Sequence, residues 1–86
     1  MRQLVIVKKR NKGFEKKPLF VTVGKSVFKK AVERNLIKRR VRAIAGPKIK
    51  ESAYGATVII KPEARGASYA ELERAIQEEM KHAGII

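Results

Sequence analysis

Apolar and polar positions fall into short blocks along this chain, and each block reads as one element. Residues 4–7, Leu-Val-Ile-Val, are a compact and largely β-branched run that predicts a first strand. Residues 8–17 carry six Lys or Arg in ten, with Gly13 among them, and read as a loop or hairpin tip. After Pro18, residues 19–23 predict a second strand. Leu19, Val21 and Val23 share one face of it, Phe20 and Thr22 the other, and Gly24 and Lys25 end it. A helix follows from Phe28 or Lys30 to Ala45. Gly46 and Pro47 are expected to stop it, because proline cannot continue the hydrogen-bond ladder and glycine tolerates the cap geometry. Tyr54 and Gly55 mark a turn, residues 56–61 a third strand closed by Pro62, and residues 63–67 a loop containing Gly66. The last helix opens on Ser68 with Glu71 three residues on, the pattern of a capping box. Tyr69, Leu72, Ile76, Met80 and Ala83 form its core stripe, Glu71, Glu78 and Lys81 its solvated face, and Gly84 its end. The order is strand, strand, helix, strand, helix, with the middle helix as a crossover between the second and third strands. The expected fold class is α+β: a two-layer sandwich whose small sheet packs helices on one face and leaves the other more open.

The middle helix has two distinct faces. At about 100° per residue, Ile37, Val41 and Ile44 converge on one buried stripe. Asn35, Lys38, Arg39 and Arg42 fall together on the far side, with Arg34 at the border nearer the core and Arg40 at the other edge. Guanidinium and ammonium groups at these spacings present a row of donors suited to phosphate oxygens. Asn is a poor interior helix former, so Asn35 among these cations points to use of its amide on a base edge or a ribose hydroxyl. Glu33 is the one acid of this segment, and it points elsewhere.

Charge strengthens that reading. The 86 residues fit one domain, residues 1–86, with a modest core and no room for a deep active-site cavity. The net charge of +13 is unevenly placed: residues 1–50 hold 17 Lys/Arg against two Glu, and residues 51–86 hold four against six. An anionic partner would relieve the repulsion within the first part, and nucleic acid fits better than a membrane surface or an acidic protein. Without cysteine, disulfides and thiolate metal sites are excluded. Apolar runs reach only four residues, against about 20 for a bilayer span, and the expected location is cytoplasmic.

Protein-borne catalysis finds no support in the pattern. His82, the sole histidine, sits in the last turn of the final helix, where a cation suits the dipole. Ser26, Ser52 and Ser68 have no base nearby in sequence, and Gly13, Gly24 and Gly46 have no phosphate-loop spacing. Any cleavage must come from a partner. A structural RNA-binding protein of ribosomal type fits the same charge pattern. A DNA-binding regulator fits it less well, because no two-helix reader with a tight turn precedes Lys30.

Residues 31–42, Ala-Val-Glu-Arg-Asn-Leu-Ile-Lys-Arg-Arg-Val-Arg, resemble the signature of the bacterial ribonuclease P protein subunit. The family pattern is Arg-Asn-Arg, then Lys-Arg two residues on, then a further Arg. Arg34, Asn35, Lys38, Arg39 and Arg42 match it; Leu36 stands where the second Arg of the triplet is usual, and Lys29 and Lys30 where Gly-Asn is usual. The likeness extends over about residues 3–86, through the strands at 19–23 and 56–62 and the helix start at Ser68. It implies a sandwich with a left-handed crossover around the basic helix. It also implies a protein cofactor of a catalytic RNA that, with bound Mg2+, removes the 5′ leader from precursor tRNA. By position, Arg34, Asn35, Lys38, Arg39 and Arg42 inherit contact with that RNA, and Lys25, Lys29 and Lys30 are candidates to flank the groove. Phe20 and Thr22 offer a surface for the single-stranded leader. Family members usually begin with a helix that carries aromatic residues and walls the leader cleft. The chain starts almost at its first strand, so a short form lacking that helix is expected.

Overall fold

Strand alternation sets which side of the sheet is dry. The computed structural model describes residues 3–11 and 18–86, with elements β1 (Val5–Asn11), β2 (Leu19–Val23), α1 (Ala31–Glu51), β3 (Tyr54–Ile60), a single 3-10 turn (Pro62–Ala64) and α2 (Tyr69–His82). The three strands lie in the order β1-β3-β2, with β1 antiparallel and β2 parallel to β3. The parallel pair is joined through α1, which is the crossover expected. Val5 and Val7 of β1 and Ala56, Val58 and Ile60 of β3 point to one face and are buried there. Both helices cover that face, α1 over β2 and α2 over β1. Ile37, Val41, Ile44, Ala45 and Ile49 of α1 and Leu72, Ile76 and Met80 of α2 complete one apolar cluster.

Start of α2 is as anticipated. The Glu71 amide donates to Ser68 Oγ at 3.1 Å, and the Ser68 amide donates to Glu71 Oε1 at 3.0 Å, so each side chain satisfies an amide that the helix leaves open. Gly84, at φ 79°, follows the helix end. Within the expected stripe, Tyr69 is a correction: it is 44% exposed. Its azimuth is right, but it occupies the first turn, ahead of the packed residues that begin at Leu72.

Helix α1 departs from expectation at its far end. It runs through Gly46 and Pro47 and stops at Glu51. An interior proline costs about 3 kcal/mol. Continuing one more turn buries Ile49 almost completely, and full burial of an isoleucine is worth about 1.5–3 kcal/mol. The added turn is also tied down. The Ser52 amide donates to the Lys48 and Ile49 carbonyls, Ser52 Oγ donates to the Ile85 carbonyl at 2.7 Å, and the Tyr54 amide donates to Ser52 Oγ at 3.1 Å. The helix starts at Ala31, just past the expected range, with Lys30 as its N-cap.

Tyr54 and Gly55 form no turn. They begin β3, and the turn falls on Ser52 and Ala53. A Cβ built on Gly55 would stand 2.5 Å from the Pro18 carbonyl oxygen, the atom that accepts the Ala56 amide at 2.8 Å. Glycine is needed there so that β2 can approach β3 at its first hydrogen bond. Lys61, expected in the third strand, lies just past its end, and Pro62–Ala64 add a 3-10 turn within the expected loop. Strand β1 continues to Asn11, four residues beyond the expected Val7, because residues 8–11 pair with residues 54–57 of β3. The remainder of the predicted basic loop, residues 12–17, lies outside the described residues.

Candidate nucleic-acid interface

Burial of Ile37, Val41 and Ile44 fixes the rotation of α1. Asn35, Arg39 and Arg42 are therefore exposed together, and Lys38 is half-buried at the margin of the same surface. Among the described residues no carboxylate pairs with Lys38, Arg39 or Arg42. On the groove flank of α1, Glu33, Leu36 and Arg40 approach Ala64, Gly66 and Ala67, the segment leading into α2. Arg34, Lys38 and Arg42 lie on the opposite flank of the helix.

Arg34 is built differently from the other cations. Its Nη1 donates to the Phe28 carbonyl at 2.6 Å and the Lys29 carbonyl at 2.9 Å. The guanidinium clamps the turn that enters α1, and part of its donor fork is committed to that task. Lys25, Lys29 and Lys30 are exposed around this turn. Lys30 caps the helix without a side-chain hydrogen bond. Cations beside the positive end of a helix dipole raise the local potential and favour an anion there.

On its outer face the sheet adds a second surface. Phe20 is 39% exposed and Thr22 is exposed beside it. Register brings in residues that sequence reasoning missed. Lys8 pairs with Thr57, Thr57 with Phe20, Ile6 with Ile59, and Ile59 with Thr22. The Arg10 guanidinium lies 4.3 Å from the centroid of the Phe20 ring, and its Nη1 donates to Thr57 Oγ1 at 3.3 Å. Such a stack is a cation–π contact, and it lays the Arg10 guanidinium over one face of the Phe20 ring on an open sheet. The signal was the alternation of β1 itself: once residues 8–11 are strand, Lys8 and Arg10 must share the face of Ile6.

No group of three or more His, Cys, Asp or Glu among the described residues is placed to hold a metal ion. Among the described residues no helix is long and apolar enough to cross a membrane. What the surface offers is a row of exposed cationic donors on α1 and a part-exposed aromatic ring on the sheet.

Comparison with known proteins gives four concordant matches. A family model described as Ribonuclease P matches residues 1–84. The ribonuclease P protein component of Synechocystis sp. is 35% identical over 69 residues, covering 77% of this chain and 55% of the relative. That of Microcystis aeruginosa is 35% identical over 68 residues, covering 77% and 57%. The chain thus spans little more than half the length of these curated relatives. A solved structure of a Staphylococcus aureus RNase P protein mutant with defective mRNA degradation activity has the same fold. It superposes with a TM-score of 0.82 at 22% identity, covering all of this chain and 74% of that one.

Proposed function

The chain belongs to the ribonuclease P protein family, and from that premise we propose that it is the protein cofactor of a ribonuclease P. It binds the catalytic RNA through α1 and assists removal of the 5′ leader from precursor tRNA. The observation that supports this reading best is the outward set Asn35, Lys38, Arg39 and Arg42 on a helix anchored by buried Ile37 and Val41. Arg39, Arg42 and Lys38 contact phosphates of the RNA. Asn35 takes a base edge or a 2′-hydroxyl, the group that marks RNA. Arg34 acts through the 28–30 turn, which it holds in place, and Lys25, Lys29 and Lys30 extend the positive field around that turn.

Leader binding falls to the sheet. Phe20, with Thr22 beside it and Arg10 stacked against it, offers a single strand one stacking surface and several donors; stacking of one base on an aromatic ring is worth about 1–3 kcal/mol. The protein contributes no catalytic group. In this reading hydrolysis belongs to the RNA, and the Mg2+ it uses is held by RNA phosphates. Cations on α1 lower the repulsion between RNA strands, which otherwise falls to Mg2+. The enzyme is a ribonucleoprotein endoribonuclease of the cytoplasm.

Reconstitution tests this reading. Added to the catalytic RNA of its source organism at limiting Mg2+, the protein should restore cleavage of precursor tRNA. If it binds that RNA without stimulating cleavage at any Mg2+ concentration, a purely structural RNA-binding role replaces the proposal.

A further inference from the structure

Helix α1 is not cationic all round its exposed side. Val32 is 78% and Leu36 43% exposed. An exposed apolar residue alone says little, but Leu36 stands in a built setting. It forms one wall of a groove of about 240 Å³, with Phe28 beside it and with Ala64 and Gly66 of the segment before α2 also in the lining. Glu33 and Arg40 also line it. They are seven residues apart, two helical turns, and so sit at nearly the same azimuth on α1. One brings a carboxylate acceptor and the other a guanidinium donor to the same apolar slot.

We propose that this groove takes a single unstacked nucleobase from an RNA strand lying along α1, preferring guanine to uracil. The inference rests on the RNA-binding reading of α1 and extends it to a base-specific subsite. Size is the first argument: the groove is smaller than the roughly 300–1,000 Å³ of sites for whole small molecules, and suits one planar ring. Shape is the second. The residues that line the groove across from Leu36, namely Ala64, Gly66 and Ala67, are all small, so a flat ring finds room beside them. Hydrogen bonding is the third. A carboxylate can only accept; guanine offers N1–H and its 2-amino group on one edge, whereas uracil offers one imino hydrogen between two carbonyls that repel Glu33. Charge decides the occupant class. The groove is lined by Arg40, which Arg39 precedes on α1, and lies on a chain of net charge +13, so a polyanion delivers its bases there while its phosphates meet Arg39 and Arg40.

The test is an amide 15N–1H correlation titration of the full chain with guanosine 5′-monophosphate, uridine 5′-monophosphate and ribose 5-phosphate. All three should shift amides around Arg39 and Arg40 through their phosphate. Only the nucleotides should shift Leu36 and residues 64–67, and guanosine 5′-monophosphate should bind about fivefold more tightly than uridine 5′-monophosphate, the worth of one net hydrogen bond. Leu36→Gln, at a position already part-exposed, should abolish the shifts at 64–67 and leave the phosphate response intact. Glu33→Gln should remove the preference for guanine. Equal responses to guanosine 5′-monophosphate and ribose 5-phosphate at 64–67 would overturn the subsite while the cationic row stands. Absence of any response along 38–42 would overturn both.

Discussion

Arg34 and Arg39 carry the same charge on the same helix and do different work. Arg34 spends two hydrogen bonds on the Phe28 and Lys29 carbonyls, whereas Arg39 extends into solvent. Arg34→Ala should therefore cost stability, on the order of 1–3 kcal/mol for bonds from a charged donor, as read by denaturant unfolding. Arg39→Ala should leave stability within about 0.5 kcal/mol. Equal stability of the two variants would mean that the turn does not depend on Arg34. The glycines divide in the same way. Gly46→Ala meets nothing within 4 Å in a helix interior and should stabilise by about 0.5–1 kcal/mol. Gly55→Ala meets the Pro18 carbonyl and should destabilise by about 1–3 kcal/mol. Thermal melts of the two variants should move in opposite directions. The cations on α1 were readable from spacing alone, because their azimuth follows from where Ile37, Val41 and Ile44 must go. The role of Gly55 was not, since the atom that excludes a side chain belongs to Pro18, 37 residues earlier in the chain.

At the scale of elements, what could be read was what is local. Strand β2 has the expected bounds because alternation and its flanking Pro and Gly are all within the segment. The start of α2 is set by two reciprocal hydrogen bonds between residues three apart. The end of α1 is decided by distant partners. Pro47 is a local stop signal, overridden where Ile49 reaches the core and Ser52 the Ile85 carbonyl. Pro47→Ala should thus stabilise the protein, by up to about 3 kcal/mol, while Ile49→Ala should cost about 2–5 kcal/mol. A Pro47→Ala variant that melts lower than the parent would show that the proline shapes the native helix rather than opposing it. The end of β1 has the same origin: Lys8, Lys9 and Arg10 look like loop until pairing with β3 fixes them. That error hid Arg10 from the candidate site, and with it the stack on Phe20.

For the whole molecule, charge is the organising quantity. A net +13 on 86 residues is concentrated in the half that contains α1, and self-repulsion of this kind opposes compaction. Sulfate should raise the melting temperature well beyond chloride at equal ionic strength, because it binds a cluster that exists only in the folded state. A response set by ionic strength alone would mean that the native charges are dispersed. The central claim is that Arg39 and Arg42 meet RNA phosphates from a helix locked by its apolar face. Its most direct test is the salt dependence of binding to the catalytic RNA. Each phosphate contact contributes close to one unit to the slope of log K against log salt, so each alanine variant should lower the slope by about one unit and the double variant by about two. Unchanged slopes for all three would place the RNA on another surface.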